Sequence, residues 1–589
     1  MIAPALPADV HRPPAPLLLG GLLFGVVLAP LLAVNHTPSA TLYNQLLALW
    51  GWGLLVCALA TQERQRPRWG AVELCLSLLL LAAALAPLWR SQPLSIALGQ
   101  LGMLGAALVV FRAACGVPAA QRLAVWEAFA AAVLALGLCS ALVALVQVFA
   151  PDWADGVLIA RSGLVGRAVG NIRQPNHLAS ILMWAAVALA ALWQSGALQR
   201  WLQGSARLAA LAAWALMGLL MLAMVLSASR TGVLGVLMLA VWGGLDRRLL
   251  SGRVRLLLVL SPLLLALAWW GMSWWSAQQG LTLGAESRLA EGAGSPSRVA
   301  ILRNAWALLQ AHPWLGVGWG EFNLAWTLTP FPDRPIAFFD HTHNLPLQWL
   351  VELGWPLGLL CLGLLGWGLW QAVRQCAQQP TLREALALRS ALMLVLTIGL
   401  HSLLEYPLWY AYFLLPAVFA LGLVLGSGPQ RESRPTELPS RGMLLAGVAM
   451  SVGALLTAWD YQRVVEIYQP SARSVSLSER IARGQQSWFF AAQANYAAAT
   501  SPQPSAKTLE AARMTAHHLS DVRLLMAWAK SLHAVGKTDE ARYVVQRLRE
   551  FRSRAGDDWL QVCEDLEPGQ PEPFQCALPS RDYDWTELR

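Results

Sequence analysis

Two histidines and a carboxylate stand together in Phe338-Phe339-Asp340-His341-Thr342-His343-Asn344-Leu345-Pro346, where a long polar segment gives way to an apolar run. An imidazole titrates near neutral pH and can take the proton of a hydroxyl, so this cluster at the mouth of a membrane helix is a candidate general base. A plainer reading is that Asp340 or Asn344 caps the helix start and satisfies its free N–H groups. A base needs a partner that holds a substrate; a cap does not.

Three further stretches have residue types suited to such a partner. Pro175 interrupts regular structure just before the apolar block 177–194, leaving Arg173, Gln174 and Asn176 at its surface with donors exposed. N-capping by Asn176 explains neither Arg173 nor Gln174. In Ser227-Ala228-Ser229-Arg230-Thr231-Gly232 two apolar blocks meet almost without a loop. Arg230 then lies at or just inside the membrane interface, where an unpaired charge costs about 2.5–3.5 kcal/mol, so it either snorkels to lipid headgroups or holds a phosphate. The third is Glu405-Tyr406-Pro407, preceded by His401 and Ser402. Glu405 can orient a histidine or hold an arginine; Tyr406 can donate to a substrate oxygen or line the membrane boundary. Trp269, Trp270, Trp274 and Trp275 read as an aromatic belt rather than a sugar platform.

These groups hang on a frame set by composition. Charged residues make up 13% of the chain and hydrophobic ones 56%, and Leu and Ala arrive in blocks of bilayer length, which excludes a soluble enzyme. The blocks are 17–33, 42–60, 71–89, 94–111, 123–150, 177–194, 208–226, 232–245, 256–275, 345–370, 391–404, 408–425 and 443–459. They amount to about thirteen spans of roughly 20 residues each, the first expected as a retained helix because residues 1–16 offer no convincing cleavage site. Seventeen arginines, from Arg64, Arg66 and Arg68 to Arg431, Arg434 and Arg441, fall in alternate loops, against Arg90 and Arg230 in the short loops of the other set. By the positive-inside rule the first set and the N-terminus are cytoplasmic and the histidine cluster faces outward. The net charge of +9 is thus a topology signal, not a nucleic-acid one.

Two outward segments are long and break the charge rule: 151–176, with Arg161, Arg167 and Arg173, and 276–344, with Arg288, Arg298, Arg303 and Arg334. Long translocated loops can escape the rule. Anion binding is the other reason for arginine here, because the guanidinium fork matches phosphate oxygens. From about residue 460 charge, Gln and Ser return, and odd span parity places 460–589 outside as a helical domain beyond the membrane domain 1–459. Within it 506–520, 524–535 and 539–551 read as helices. Val535-Gly536-Lys537 with Glu540-Ala541 resembles the close of a tetratricopeptide unit, and the proline-bearing tail 569–589 reads as irregular. Cys563 and Cys576 can pair if this region meets an oxidising compartment. No cysteine has metal-ligand spacing, and no metal or cofactor is expected. The fold class is therefore all-α: a polytopic membrane protein with a large outer loop and an outer C-terminal helical domain.

The stretch Asn171-Ile172-Arg173-Gln174-Pro175-Asn176-His177, the stretch Ser229-Arg230-Thr231-Gly232, the helix start His343-Asn344 after a large outward loop, and Glu405-Tyr406-Pro407 together carry a resemblance. Over nearly the whole membrane region the chain is similar to the bacterial protein O-oligosaccharyltransferases of the PglL type, relatives of the O-antigen ligases and Wzy-type polymerases. The resemblance implies an inner-membrane enzyme that transfers a preassembled glycan from undecaprenyl diphosphate to Ser or Thr hydroxyls of pilin or other periplasmic proteins. It implies that His343 is the essential histidine, that Arg230 binds the diphosphate, and that Gln174 and Tyr406 are needed for transfer.

The residues themselves suggest how. Arg230 with Arg173, Arg298 and Arg167 would hold the diphosphate and stabilise charge building on it, in place of a metal ion. His343 would take the acceptor's proton, with Asp340 or Glu405 setting its tautomer and Asn344 and Asn176 in support; His341 is the alternative base. A single displacement of this kind inverts the anomeric centre. Within the enzyme class the rivals are transfer to a lipid core, as by an O-antigen ligase, and glycan extension, as by a polymerase; the Gln174 stretch and the C-terminal extension lean toward protein acceptors. Outside it the rivals are a transporter or a membrane scaffold. A transporter calls for polar residues deep within spans, whereas here they gather at one face.

Overall fold

The computed structural model describes residues 16–62, 68–164, 166–279, 296–335, 338–379, 381–428, 440–567 and 571–589. Residues 1–15 and Arg64, Arg66, Arg288, Arg431 and Arg434 of the charge argument lie outside the described residues. All regular structure among the described residues is helical, as expected where a bilayer offers the backbone no partner. The membrane part comprises α1 (Pro16–Leu31), α2 (Leu42–Ala60), α3 (Ala71–Arg90), α4 (Leu94–Cys115), α5 (Ala119–Phe149), α6 (Pro175–Gln194), α7 (Ala206–Ser227), α8 (Arg230–Leu245), α9 (Gly252–Val259) and α10 (Ser261–Gln279). Next come α11 (Pro296–Ala311) and α12 (Phe322–Leu328), then α13 (Leu345–Ala377), α14 (Leu382–Ser402), α15 (Ala411–Leu425) and α16 (Arg441–Tyr468). The C-terminal part adds α17 (Leu477–Gln485), α18 (Ala491–Ala499), α19 (Ala506–Ala516), α20 (Val522–Ala534), α21 (Thr538–Glu550) and α22 (Arg554–Leu560).

Nine helices among the described residues are long and apolar enough to cross a membrane, or ten if α9 and α10, bent by 41° at their junction, make one broken span. Three shorter apolar helices, α1, α8 and α15, occupy further blocks read as spans in the sequence. The core of the bundle is α6, 89% of whose apolar window is buried. Close packing elsewhere relies on small residues: a Cβ on Gly53 of α2 would stand 2.3 Å from Ser451 Oγ of α16, the kind of approach that drives helix association in lipid.

At two of the boundaries that differ from the hydropathy reading the cause is visible. α14 starts at Leu382, where Thr381 accepts the backbone N–H of Glu384 at 3.2 Å, so a helical turn bearing Arg383, Glu384 and Arg389 precedes the apolar block. α16 runs nine residues past the expected boundary because Asp460 is buried. Its carboxylate accepts from Ser487 Oγ at 2.6 Å and from the Phe489 N–H at 3.1 Å. A residue that reads as the end of the membrane block thus belongs to the interior where the last span meets the C-terminal helices.

The long segment 276–344, read from the sequence as an outward loop, holds helices among its described residues. Ile301 and Leu308 of α11 and Phe322 and Trp326 of α12 share one apolar core with Leu525 and Trp528 of α20, Tyr543 of α21 and Trp585 of the tail. Arg334, 4% exposed, joins the two sides by pairing with Glu550 at 2.8 Å and donating to the Trp326 carbonyl at 2.8 Å. The tail is irregular apart from a short turn at Trp585–Leu588, yet Trp585 and Leu588 dock it into that core. Cys563 and Cys576 are joined in a disulfide.

Candidate active site

Asn344 caps α13. Its Oδ1 accepts the Leu347 N–H at 3.0 Å, while its Nδ2 donates to the Leu403 carbonyl at 3.0 Å and so ties the start of α13 to the end of α14. Asp340 does not cap; its carboxylate lies 3.1 Å from Nδ1 of His341. Just before the cap, His343 takes φ +56°, a left-handed conformation that is uncommon for a residue other than glycine. A buried polar column holds the turn. Thr342 N–H donates to Gln348 Oε1 at 2.8 Å, and Gln348 Nε2 donates to Glu352 Oε1 at 2.9 Å. Gln348 and Glu352 escape the sequence reading, although a polar pair at i,i+4 inside an apolar block is itself a signal. Below them Gly354, φ +74°, kinks α13 against Trp314, whose backbone would lie 2.5 Å from an added Cβ.

Glu405 is the hub. Its Oε2 stands 2.6 Å from Nδ1 of His343, and its Oε1 receives both the Arg298 guanidinium and the Asn176 amide, the latter at 3.0 Å. Asn176 Oδ1 in turn accepts from Ser229 Oγ at 2.8 Å, and Ser229 caps α8 by accepting the Gly232 N–H at 3.2 Å. Two hydrogen bonds, Ser229–Asn176 and Asn176–Glu405, and the 2.6 Å contact of Glu405 with His343 therefore link the ends of four helices. Burial alone would raise the Glu405 carboxyl, but His343, Arg298 and His401 outweigh it and hold the group below its ordinary range. An unpartnered carboxylate at this depth would cost several kcal/mol.

Three helix N-termini meet here. Gln174 Oε1 caps α6 by accepting the His177 N–H at 2.7 Å, beside the caps of α8 and α13. Each helix N-terminus carries roughly half a positive charge and N–H groups without intrahelical partners, features suited to an anion. Arg230, exposed, is the first residue of α8, and the Arg298 side chain is 39% exposed. The other two arginines, Arg173 and Arg167, donate to backbone carbonyls around the segment 151–176. Arg173, φ +56°, donates to the carbonyls of Ala33, Ala40 and Asn171, and Arg167 Nε donates to the Ser227 carbonyl at 2.9 Å.

On the other side of the turn, His341 stacks on Tyr406 with centroids 4.4 Å apart and meets the edge of Trp409 at 4.8 Å. Tyr406 also stands perpendicular to His343 at 5.0 Å. Burial first, then the carboxylates of Asp340 and Glu405, push the Tyr406 phenol far above its ordinary range, so it keeps its proton; Tyr410 is pushed up to about 12. Burial would raise Asp340 too, but the imidazole of His341 outweighs it and holds the carboxyl down. Each histidine thus has its own carboxylate. Among the described residues, no group of three His, Cys, Asp or Glu side chains is placed to hold a metal ion. Next to Trp409 opens a cavity of about 330 Å³ between α3, α4, α13 and α15, walled by apolar side chains that include Leu79, Met103, Leu345, Trp349 and Leu414.

Residues 168–193 match the family model described as protein glycosylation ligase, 214–362 the O-antigen ligase model, and 390–559 the C-terminal model of the virulence factor membrane-bound polymerases. All the site residues named above fall in these segments except Arg167. By these matches the chain is similar to the O-antigen ligases and the protein glycosylation ligases. It is also 24% identical over 284 residues to a general O-oligosaccharyltransferase of Acinetobacter baylyi. That match takes in 46% of this chain and 45% of the relative, so the chain spans about half the length of the curated relative it matches.

Proposed function

We propose that this chain is a glycosyltransferase that moves a preassembled glycan from undecaprenyl diphosphate to Ser or Thr hydroxyls of periplasmic proteins, pilin among them. The single observation that carries the reading is the chain Ser229–Asn176–Glu405–His343, which links the helix ends suited to an anion directly to an imidazole. Arg230, Arg298 and the N-termini of α6, α8 and α13 receive the diphosphate, and the first isoprene units lie in the apolar cavity beside Trp409. As the bond from the anomeric carbon to the phosphate oxygen breaks, these cations stabilise the negative charge left on the diphosphate. The acceptor oxygen attacks from the opposite face, and Nε2 of His343 takes its proton. Glu405 holds the Nδ1 proton, which makes Nε2 the basic nitrogen and stabilises the imidazolium that forms. The products are an inverted glycosyl–protein bond and undecaprenyl diphosphate. Tyr406, kept protonated, offers a donor beside the reacting atoms, and Gln174 orients the first turn of α6.

In the same reading the protein crosses the bacterial inner membrane about thirteen times, with residues 1–459 carrying the chemistry and 460–589 lying in the periplasm. The test is incubation of purified protein with undecaprenyl-diphosphate-linked glycan and pilin. Glycosylated pilin supports the proposal. Glycan attached to a lipid A core, or extended without a protein acceptor, would instead assign the ligase or the polymerase activity.

A further inference from the structure

The turn between α19 and α20 belongs to the C-terminal part but reaches the catalytic stretch. His517 Nδ1 lies 2.8 Å from Glu321 Oε1, with both side chains almost fully buried. The Ser520 N–H donates to Asn323 Oδ1 at 2.9 Å, and the Nδ2 of that same Asn323 donates to the Phe339 carbonyl at 3.0 Å. One amide thus couples the backbone at Ser520 to the residue before Asp340. Phe338 and Phe339 pack against the core they share with α20 and α21. Such buried, fully partnered links fix one arrangement of two elements.

His518 lies inside this clamped turn but outside the core. Solvent reaches it, and its Nε2 sits 3.3 Å from the Gln493 amide nitrogen of α18. Nearby protein lowers the pKa of the imidazole, while the Asp340 carboxylate acts in the opposite sense. Its charged neighbour is Asp340, on the His341 side of the turn. Arg298, assigned above to the diphosphate, and Asn176 and Ser229, at the starts of α6 and α8, are linked through Glu405 on the opposite side.

We infer that His518, with Gln493, is a positioning residue for the acceptor, so that the hydroxyl-bearing segment of a protein is held between the C-terminal helices and the Asp340–His341 pair. This rests on the function proposed above and deepens it: the catalytic mouth is completed by the C-terminal part of the chain. An imidazole beside an amide can match the N–H and C=O groups of a polypeptide. A phosphorylated core glycolipid would set anionic groups against Asp340, a like-charge juxtaposition that interfaces avoid.

The experiment uses full-length protein, undecaprenyl-diphosphate-linked glycan and purified pilin, and reads KM for each substrate separately. His518→Ala and Gln493→Ala should each raise KM for pilin about tenfold or more, with kcat and donor KM within about twofold, and His518→Gln should recover most of the loss. An unchanged pilin KM, or an equal change in donor KM, overturns the inference. So does transfer to a lipid A core glycolipid that is sensitive to His518→Ala while pilin is not used. If wild-type protein releases no glycan from the donor, the proposed function fails, and the placement of His518 is decided by photocrosslinking. With benzoylphenylalanine in place of His518, a pilin adduct that excess unlabelled pilin competes away supports it, and no such adduct overturns it.

Discussion

Nδ1 of His343 lies 2.6 Å from Oε2 of Glu405, a carboxylate whose other oxygen is taken by Arg298 and Asn176. In the proposed transfer the pair orients the imidazole and leaves Nε2 as the base. Glu405→Gln keeps the shape but removes the charge that stabilises the imidazolium. Transfer should fall by about 10²-fold, and the acid limb of the pH–rate profile should move to lower pH, with Arg298, Asp340 and His401 still nearby. The stability effect has a defined sign. Glu405 is depressed in the folded protein, so its contribution is present above the unfolded carboxyl pKa of about 4.3 and is lost as pH falls through the folded value. Thermal unfolding of wild type should therefore weaken in strong acid more than that of Glu405→Gln, while rate profiles between about pH 5 and 9 read the catalytic shift.

Arg230 opens α8 one residue beyond Ser229, at the end of the chain that starts from His343. Arg230→Lys keeps a charge there but loses the planar fork. Donor KM should rise about tenfold and kcat should fall, whereas pilin KM should hardly move. Titration of the lipid-linked glycan at fixed pilin measures this. An Arg230→Ala variant with wild-type donor KM would remove Arg230 from the diphosphate site.

The disulfide between Cys563 and Cys576, 13 residues apart in sequence, bears on topology as well as stability. A loop of this length adds about 3 kcal/mol on chain-entropy grounds, and such bonds persist in oxidising compartments. In intact spheroplasts, a membrane-impermeant maleimide should label the two cysteines after reduction and not before. A reporter fused after Arg589 should be active outside the cytoplasm. Labelling without reduction, or a cytoplasmic reporter signal, contradicts the outward placement of the C-terminal part.

Much of the frame is legible in the sequence because hydropathy over bilayer-length windows is a strong local signal. Asn344 as a cap is equally local, and the histidine cluster, Arg230 and Glu405 stand out because charge is rare in such a chain. What the sequence hides is long-range. Nothing local pairs Glu405 with His343 rather than leaving Asp340 to do so, and the structure gives each imidazole a carboxylate of its own. Arg173 looks like an anion ligand until the carbonyls of Ala33 and Ala40, more than a hundred residues away, are seen to receive its donors. The core shared by Phe322, Trp326, Trp528 and Trp585 is assembled across four intervening apolar helices, so the segment 276–344 reads as a loop and the C-terminal helices as a separate unit. Windowed hydropathy cannot register a contact at that range.

The account turns on the proton acceptor, and two single variants test it most directly. His343→Ala and His341→Ala, each purified in folded form, are assayed for transfer of glycan from undecaprenyl diphosphate to pilin. His343→Ala should lose about 10²–10⁴-fold in rate, while His341→Ala should keep more activity than His343→Ala. Full transfer by His343→Ala at normal expression would contradict the account.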